Sequence, residues 1–219
     1  TGLVPSKENT LRGFGASWKV VRGDFVHLKE VAKREGFEKV SGILFDLGVS
    51  SHQLESAERG FSFQKDAFLD MRMNPRLAVT AADLLKVLSK KQLYVLFNRF
   101  AQEKRARAIA DALVRARQIK PIETTKQLAD LVVRVYGGKK KVRGIHPATK
   151  VFLALRIAVN SELENLKIAL PQAVDLLETK GRLVVISFHQ SEDRIVKNFL
   201  REERRLKVLT KKPVTPSEE

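Results

Sequence analysis

The chain has 219 residues, room for one large domain or two small ones, and its 43% hydrophobic and 30% charged residues exclude a disordered tail. It has no cysteine, hence no disulfide, thiolate chemistry or Cys-based zinc site, and no apolar run approaches the ~20 residues that span a bilayer. Lys and Arg number 41 against 25 acidic residues, a formal charge of +16; without an amphipathic terminal helix bearing aromatic anchors, this points to nucleic acid rather than an anionic membrane.

Along the chain, WKVVRGDF (Trp18–Phe25) is β-rich and predicts a strand, and Val26–Glu35 carries a helical pattern that Gly36 ends. VSGILFDLG (Val40–Gly48) is almost continuously apolar, the pattern of a central parallel strand buried on both faces. Residues 49–72, dense in polar and aromatic groups, form a long connection of the kind that is usually functional. From Asn74 to about Tyr136 apolar residues recur at 3.6-type spacing, which predicts three or four short helices punctuated by Pro121 and a Thr124–Thr125 cap. Gly137–Gly144, GGKKKVRG, is a basic loop. A long helix is predicted from Pro147 through VFLALRIAVNSELENLKIAL and another through DLLETK. A second buried strand follows in GRLVVISFH (Gly181–His189), then a helix from Glu192 to about Arg204 and a last β-like run, LKVLT.

Strand, helix and strand alternate at both ends with helices between, so the expected fold is an open α/β sheet interrupted by an inserted all-helical domain. The expected units are residues 1–72 and 146–219 as two parts of the core and 73–145 as the insertion, with strands at 18–25, 40–48 and 181–189. Ligands of such sheets bind outside the carboxyl ends of the strands, which singles out Asp24–Phe25, Asp46–Gly48 and Ser187–His189.

The block GILFDLGVSSHQLESAERGFSFQKDAFLDMRM (Gly42–Met73) resembles the signature of the MraW/RsmH family. HPATKVFLALRIAVNSELENL (His146–Leu166) and GRLVVISFHQSEDRIVKNF (Gly181–Phe199) agree with it in the same order. The resemblance implies a class I (Rossmann-like) methyltransferase fold that uses S-adenosyl-L-methionine to methylate N4 of a cytidine in 16S rRNA. Its partner would be the small ribosomal subunit and its location the cytoplasm, with no membrane and no metal; the oligomeric state stays open, a dimer included. In this reading the family's glycine-rich cofactor loop and the acidic end of its second strand precede Thr1, so the first two strands are expected to be missing and the chain alone to bind cofactor poorly. Asn74, Leu153 and Gln190–Ser191 depart from the family pattern, and the link from Arg204 to Leu206 is shorter than the family's.

By the same resemblance, Asp46 and Gln53 match cofactor-contacting residues, and Asp46 lies at the methyl-transfer centre. Phe25 would stack on the adenine and Asp24 read its amine, while His189 would border the cytosine pocket as a catalytic residue. Ser50, Ser51, Asp70 and Arg72 are candidates for substrate contact; for Asp70 and Arg72, enclosed by Phe61, Phe63, Phe68, Met71 and Met73, an internal ion pair bracing the loop is an equal alternative. Lys139, Lys140, Lys141 and Arg143 are candidate phosphate contacts, with further basic groups at Lys104, Arg105, Arg107, Arg115, Arg117, Lys211 and Lys212. The four histidines, at 27, 52, 146 and 189, lack metal-ligand spacing. Two alternatives remain: a non-catalytic rRNA-binding or assembly factor, and a DNA N-methyltransferase, against which DLGV stands where an Asp/Asn-Pro-Pro-aromatic block would be expected.

Overall fold

In a computed structural model, which describes residues 19–139, 141–142, 144–210 and 212–215, the two apolar runs lie side by side. β1 (Val40–Asp46) and β2 (Leu177–Ile186) pair in parallel, with regular register from Gly42 opposite Arg182 to Asp46 opposite Ile186. Among the described residues nine helices accompany them: α1 (Leu28–Arg34), α2 (Ser51–Glu55), α3 (Ala81–Val87), α4 (Lys90–Ala101), α5 (Ala106–Ile119), α6 (Thr125–Val135), α7 (Thr149–Asn160), α8 (Glu162–Leu176) and α9 (Gln190–Glu202).

Strand alternation divides the sheet's side chains between two faces. Ile43, Phe45, Leu183 and Val185 pack on Leu166, Ala169, Leu170 and Ala173 of α8 and on Ile195, Val196 and Phe199 of α9. Leu44, Val184 and Ile186 point the other way and are exposed. The strand run at Val40–Asp46 is therefore covered on one face, not on the two its continuous apolarity predicts.

The predicted strand at 18–25 is not found. Trp18 lies outside the described residues, 19–24 have no regular structure, and Phe25–His27 is a 3₁₀ turn. An extended run becomes a strand only with a ladder partner, and no described residue pairs with this one; a helix holds the turn that follows it. Gln172 of α8 donates from Nε2 to the Val26 carbonyl at 2.6 Å and accepts the Lys29 amide at 2.9 Å. The helix predicted through DLLETK ends at Leu176, and Lys180 (φ 71) lies in an irregular stretch where β2 joins β1. The run at 206–210 is likewise without regular structure.

Helices α3, α4 and α6 begin with reciprocal capping boxes, Thr80 with Asp83, Ser89 with Gln92 and Thr124 with Gln127, which satisfy amides that a helix start leaves unpaired. Their apolar stripes meet in one cluster with α5, and that cluster extends to Phe61, Leu69 and Met71 and to Ala148–Leu155 of α7. The loop before α3 is laced to this block: Ala81 and Ala82 donate to the carbonyls of Asp70 and Leu69, both at 2.9 Å, and Leu69 donates to Glu123 at 2.8 Å.

The long helix predicted from Pro147 is two helices. Ser161 (φ 52) breaks it, and Asn160 occupies the corner. The Asn160 amide donates to the carbonyls of Met71 (2.7 Å) and Arg156 (2.9 Å), and its oxygen accepts the Met73 amide at 2.6 Å.

Gly60 (φ 65) turns the loop where any side chain would strike backbone, since a Cβ there meets the Phe68 carbonyl oxygen and lies 2.8 Å from the Asp70 amide. Gly60→Ala is expected to lower stability by about 2 kcal/mol or more. Gly138→Ala, at φ 78 with nothing within 4 Å, should lose only about 1 kcal/mol of left-handed strain. Urea midpoints at unchanged slope would measure both, and equal effects would contradict the close approach at Gly60.

Candidate active site

Three segments converge at the carboxyl ends of β1 and β2. Asp46 closes β1 opposite Ile186, its carboxylate exposed and hydrogen-bonded to no described residue. Gly48, at φ 90, turns the chain between two side chains: a Cβ there would lie 3.7 Å from Cδ2 of Phe188 and 3.8 Å from Nη2 of Arg156. Phe25, 37% exposed, sets its ring edge-on to Phe45 with centroids 6.1 Å apart. The Asp24 carboxylate accepts the Val26 amide at 3.1 Å, which caps the 3₁₀ turn that presents Phe25. Gln53 and Ser50 form a capping box: Oε1 of Gln53 accepts the Ser50 amide at 3.0 Å, and Oγ of Ser50 accepts the Gln53 amide at 3.3 Å. Ser51 is the first, exposed residue of the short helix that they start.

At the end of β2 the chain is tied to the first turn of α9. The Ser187 hydroxyl pairs with the Asp193 carboxylate, and the Phe188 amide donates to Oε2 of Glu192 at 3.0 Å. Nδ1 of His189 accepts the Glu192 amide at 3.4 Å, capping α9. An acceptor Nδ1 puts the proton of a neutral imidazole on Nε2. That nitrogen is buried, 3.2 Å from Oε1 of Glu192 but not aligned for a hydrogen bond with any described group.

Beside this corner Arg156 grips Glu162 with two parallel bonds, Nε to Oε1 and Nη2 to Oε2, both 2.9 Å. The pair is six residues apart, which a continuous helix would place on different faces; the break at Ser161 brings it together. Burial pushes the Glu162 carboxyl up from its ordinary value, and the Arg156 charge opposes the shift. Burial also works on Glu192, but His189 and the Phe188 amide outweigh it and hold that carboxyl below its ordinary value. Glu162, His189 and Glu192 bring potential ligand atoms within 4.8 Å of one another. Arg156 already saturates both oxygens of Glu162, so the cluster is compensated from within rather than shaped for a cation.

A cavity of about 590 Å³ opens beside this cluster, between residues 54–65 and α7, in the size range of small-molecule sites. Phe61, Phe63, Phe152 and Phe188 form its aromatic wall, and Arg156 and His189 are among its polar lining. Phe63 stacks on His146 at 4.4 Å and meets Phe152 edge-on at 5.0 Å; burial lowers the His146 pKa. A smaller cavity, about 260 Å³, shares Leu153 and His189 and lies between the end of α4 and the start of α9.

The sequence matches the MraW methylase family from residue 4 to residue 219. The chain belongs to this family. Among its relatives is the ribosomal RNA small subunit methyltransferase H of Persephonella marina, 47% identical over 215 residues, which are 97% of this chain and 73% of that protein. The protein of the same name from Coprothermobacter proteolyticus is 48% identical over 202 residues, 91% of this chain and 67% of its own length. That of Thermomicrobium roseum is 49% identical over 215 residues, 90% of this chain and 65% of its own.

In this member of the MraW methylase family, Asp46 closes β1, Phe25 meets Phe45, and Phe188 and Arg156 flank Gly48, while other candidates are engaged elsewhere. Asp70 and Arg72 bond to each other at 2.7 and 2.9 Å, and Nη1 of Arg72 donates to the carbonyls of Pro75 (3.1 Å) and Leu77 (2.7 Å). This geometry favours bracing of the loop over contact with substrate. Lys139 and Lys141 are exposed beside a tight turn in which Val142 and Ile145 exchange backbone hydrogen bonds; Lys140, Arg143 and Lys211 lie outside the described residues. The basic surface of the helices is narrower than the sequence implies. Arg117 caps α3 by donating to Leu85 (2.6 Å) and Leu88 (2.7 Å), Arg105 donates to Val135 at 2.6 Å and covers the Tyr136 ring, and Arg115 pairs with Asp111. Arg156 and Glu162 were not singled out from the sequence, whereas Phe188 lay within the strand end Ser187–His189 that was. The available signal was Arg156 itself, the single charge between Val151 and Val159.

Asp70 offers a pH test. Burial raises its pKa, but the Arg72 side chain and amide outweigh this and hold it below the ordinary 3.8. The stabilisation is thus fully present above the unfolded value and is lost as pH falls through the lower folded one. Asp70→Asn is expected to cost about 1–3 kcal/mol at pH 7 and less at pH 3. Urea denaturation at the two pH values would show it, and an equal loss at both would refute the assignment.

Proposed function

We propose that this chain carries the catalytic core of an S-adenosylmethionine-dependent methylase that modifies N4 of a cytidine in 16S rRNA of the small ribosomal subunit, in the cytoplasm. The observation that carries this reading is the identity of 42–49% over most of the chain to proteins named for small-subunit rRNA methylation. The +16 charge suits an RNA partner, and no described helix is long and apolar enough to cross a membrane. We further propose that the sheet belongs to a class I methyltransferase fold, divided at 1–72, 73–145 and 146–219, with the middle part recognising substrate.

The residues at the strand ends fit the methyl donor. Asp46 offers an exposed carboxylate without a described partner, suited to the methionine part, and Phe25 a half-exposed ring, suited to adenine. Gln53 lies in the following turn, its oxygen committed to the cap. When bound, S-adenosylmethionine supplies a methyl group on a positively charged sulfur. The exocyclic amine of cytosine is a weak nucleophile because its lone pair is delocalised into the ring. An oxygen that accepts a hydrogen bond from that amine restores nucleophilicity, and in this proposal Asp46 or the carbonyls of Leu47 and Gly48 take the role. His189 lines the aromatic cavity and would border the base. A nucleotide inside structured RNA must be turned out of its stack to reach such a site.

Incubating the intact protein with small subunits and methyl-labelled S-adenosylmethionine should place label on one cytidine as N4-methylcytidine, identified by mass mapping. No transfer, or label on another atom, would overturn the reading. Asp46→Ala is expected to abolish transfer while changing RNA affinity less than about twofold. Replacing Lys139, Lys140 and Lys141 with Ala should instead weaken RNA binding and reduce the log–log salt slope by roughly 0.7–0.9 for each phosphate no longer neutralised. A wild-type salt slope in the triple variant would remove the 139–141 segment from the RNA surface.

A further inference from the structure

Arg156 is a buried guanidinium with an orientation that the fold determines. Its Nε and Nη2 are committed to Glu162, and Nη1 is bonded to no described residue. The side chain lines the 590 Å³ cavity and also lies beside Gly48, two residues from the end of β1. Holding a charge here requires burying Glu162, breaking the helix at Ser161 and setting Glu192 and His189 close by. A hydrocarbon of similar volume would fill the same space without those desolvation costs. What it could not do is present a fixed hydrogen-bond donor to a ligand in an aromatic cavity.

The other walls favour a flat ligand. Phe63 has a face taken by His146, whereas Phe188 stays 70% exposed at the cavity and stacks on no described aromatic ring. A planar ring lying on Phe188 would meet a donor at its edge, Nη1 of Arg156. Cytosine presents two neighbouring acceptors, N3 and O2, whereas uracil carries a proton on N3 that would face a donor.

We propose that this cavity receives the target base and that Arg156, oriented by Glu162, donates to N3 of cytosine and so selects it over uracil. The proposal rests on the cytosine methylation put forward above. A donor held in a fixed position makes loss of the matching acceptor worth about 10- to 100-fold in rate.

The test uses the intact protein and small subunits whose target position holds either cytidine or 3-deazacytidine, in which C–H replaces N3. Wild-type kcat/KM should fall about 10- to 100-fold on loss of N3. The double variant Arg156→Met/Glu162→Met removes both charges together, which avoids stranding one in the interior. It should be slower on cytidine by a similar factor and indifferent to N3, with its melting temperature and S-adenosylmethionine affinity close to wild type. If the double variant does not fold, Arg156→Lys, which keeps a charge facing Glu162 but loses the planar fork, should show the same indifference to N3. Wild type that ignores N3, or a folded variant that still discriminates, overturns the assignment of Arg156. Wild type that methylates no cytidine at all overturns the functional reading beneath it, and this inference with it.

Discussion

Arg156 and Glu162 keep only 15% and 9% of their side-chain surface exposed, and much of the surrounding structure follows from where they sit. Two charges taken from water repay their desolvation only when the geometry is good and the remaining polar atoms are satisfied. Both conditions depend on the corner between α7 and α8. The left-handed Ser161 returns the chain so that Glu162 faces back to Arg156, and Asn160 holds the corner while tying it to Met71 and Met73 in the long loop. The turn that makes the ion pair is thus also the joint between the loop, the helical block and the sheet.

The same corner explains why the strand ends are well ordered although the sheet has only two strands among the described residues. Glu192 takes the Phe188 amide, His189 caps α9, and Arg156 lies against the turn at Gly48. A two-stranded sheet is marginal by itself. Here its ends are held by buried polar contacts and one face by α8 and α9, while Leu44, Val184 and Ile186 stay uncovered on the other.

Charge has two separate uses in this molecule. Much of the arginine that looks, in the sequence, like an RNA-binding face is structural: Arg117 closes the end of α3, Arg105 joins Glu103, Val135 and Tyr136, and Arg72 braces its loop. The guanidiniums of Arg117 and Arg105 satisfy carbonyls that helix ends leave open, while that of Arg72 bonds the Asp70 carboxylate and two loop carbonyls. The long-range field of Arg117 and Arg105 survives, because a guanidinium bonded to neutral carbonyls keeps its charge.

The elements legible in the sequence were those whose signal is local. The apolar runs ending at Asp46 and near His189, the 3.6-spaced helices between Thr80 and Val135 with the cap at Thr124, and the signature blocks could all be read without coordinates, and the blocks named the family. The 18–25 run failed as a strand because β-propensity needs a partner, and no described residue supplies it a ladder. The long helix failed at Ser161 because nothing local marks a left-handed serine; the backbone of Met71 and Met73, far away in the sequence, holds the neighbouring Asn160. Composition and order of residues by themselves determined a basic α/β chain of the MraW/RsmH type with polar groups at its strand ends. Only the tertiary structure decided that Asp70 and Arg72, left between an internal pair and substrate contact, bond to each other, that Arg156 holds Glu162 across the break at Ser161, and that an aromatic cavity opens beside Arg156. These outcomes depend on backbone turns and packing that sequence spacing does not encode.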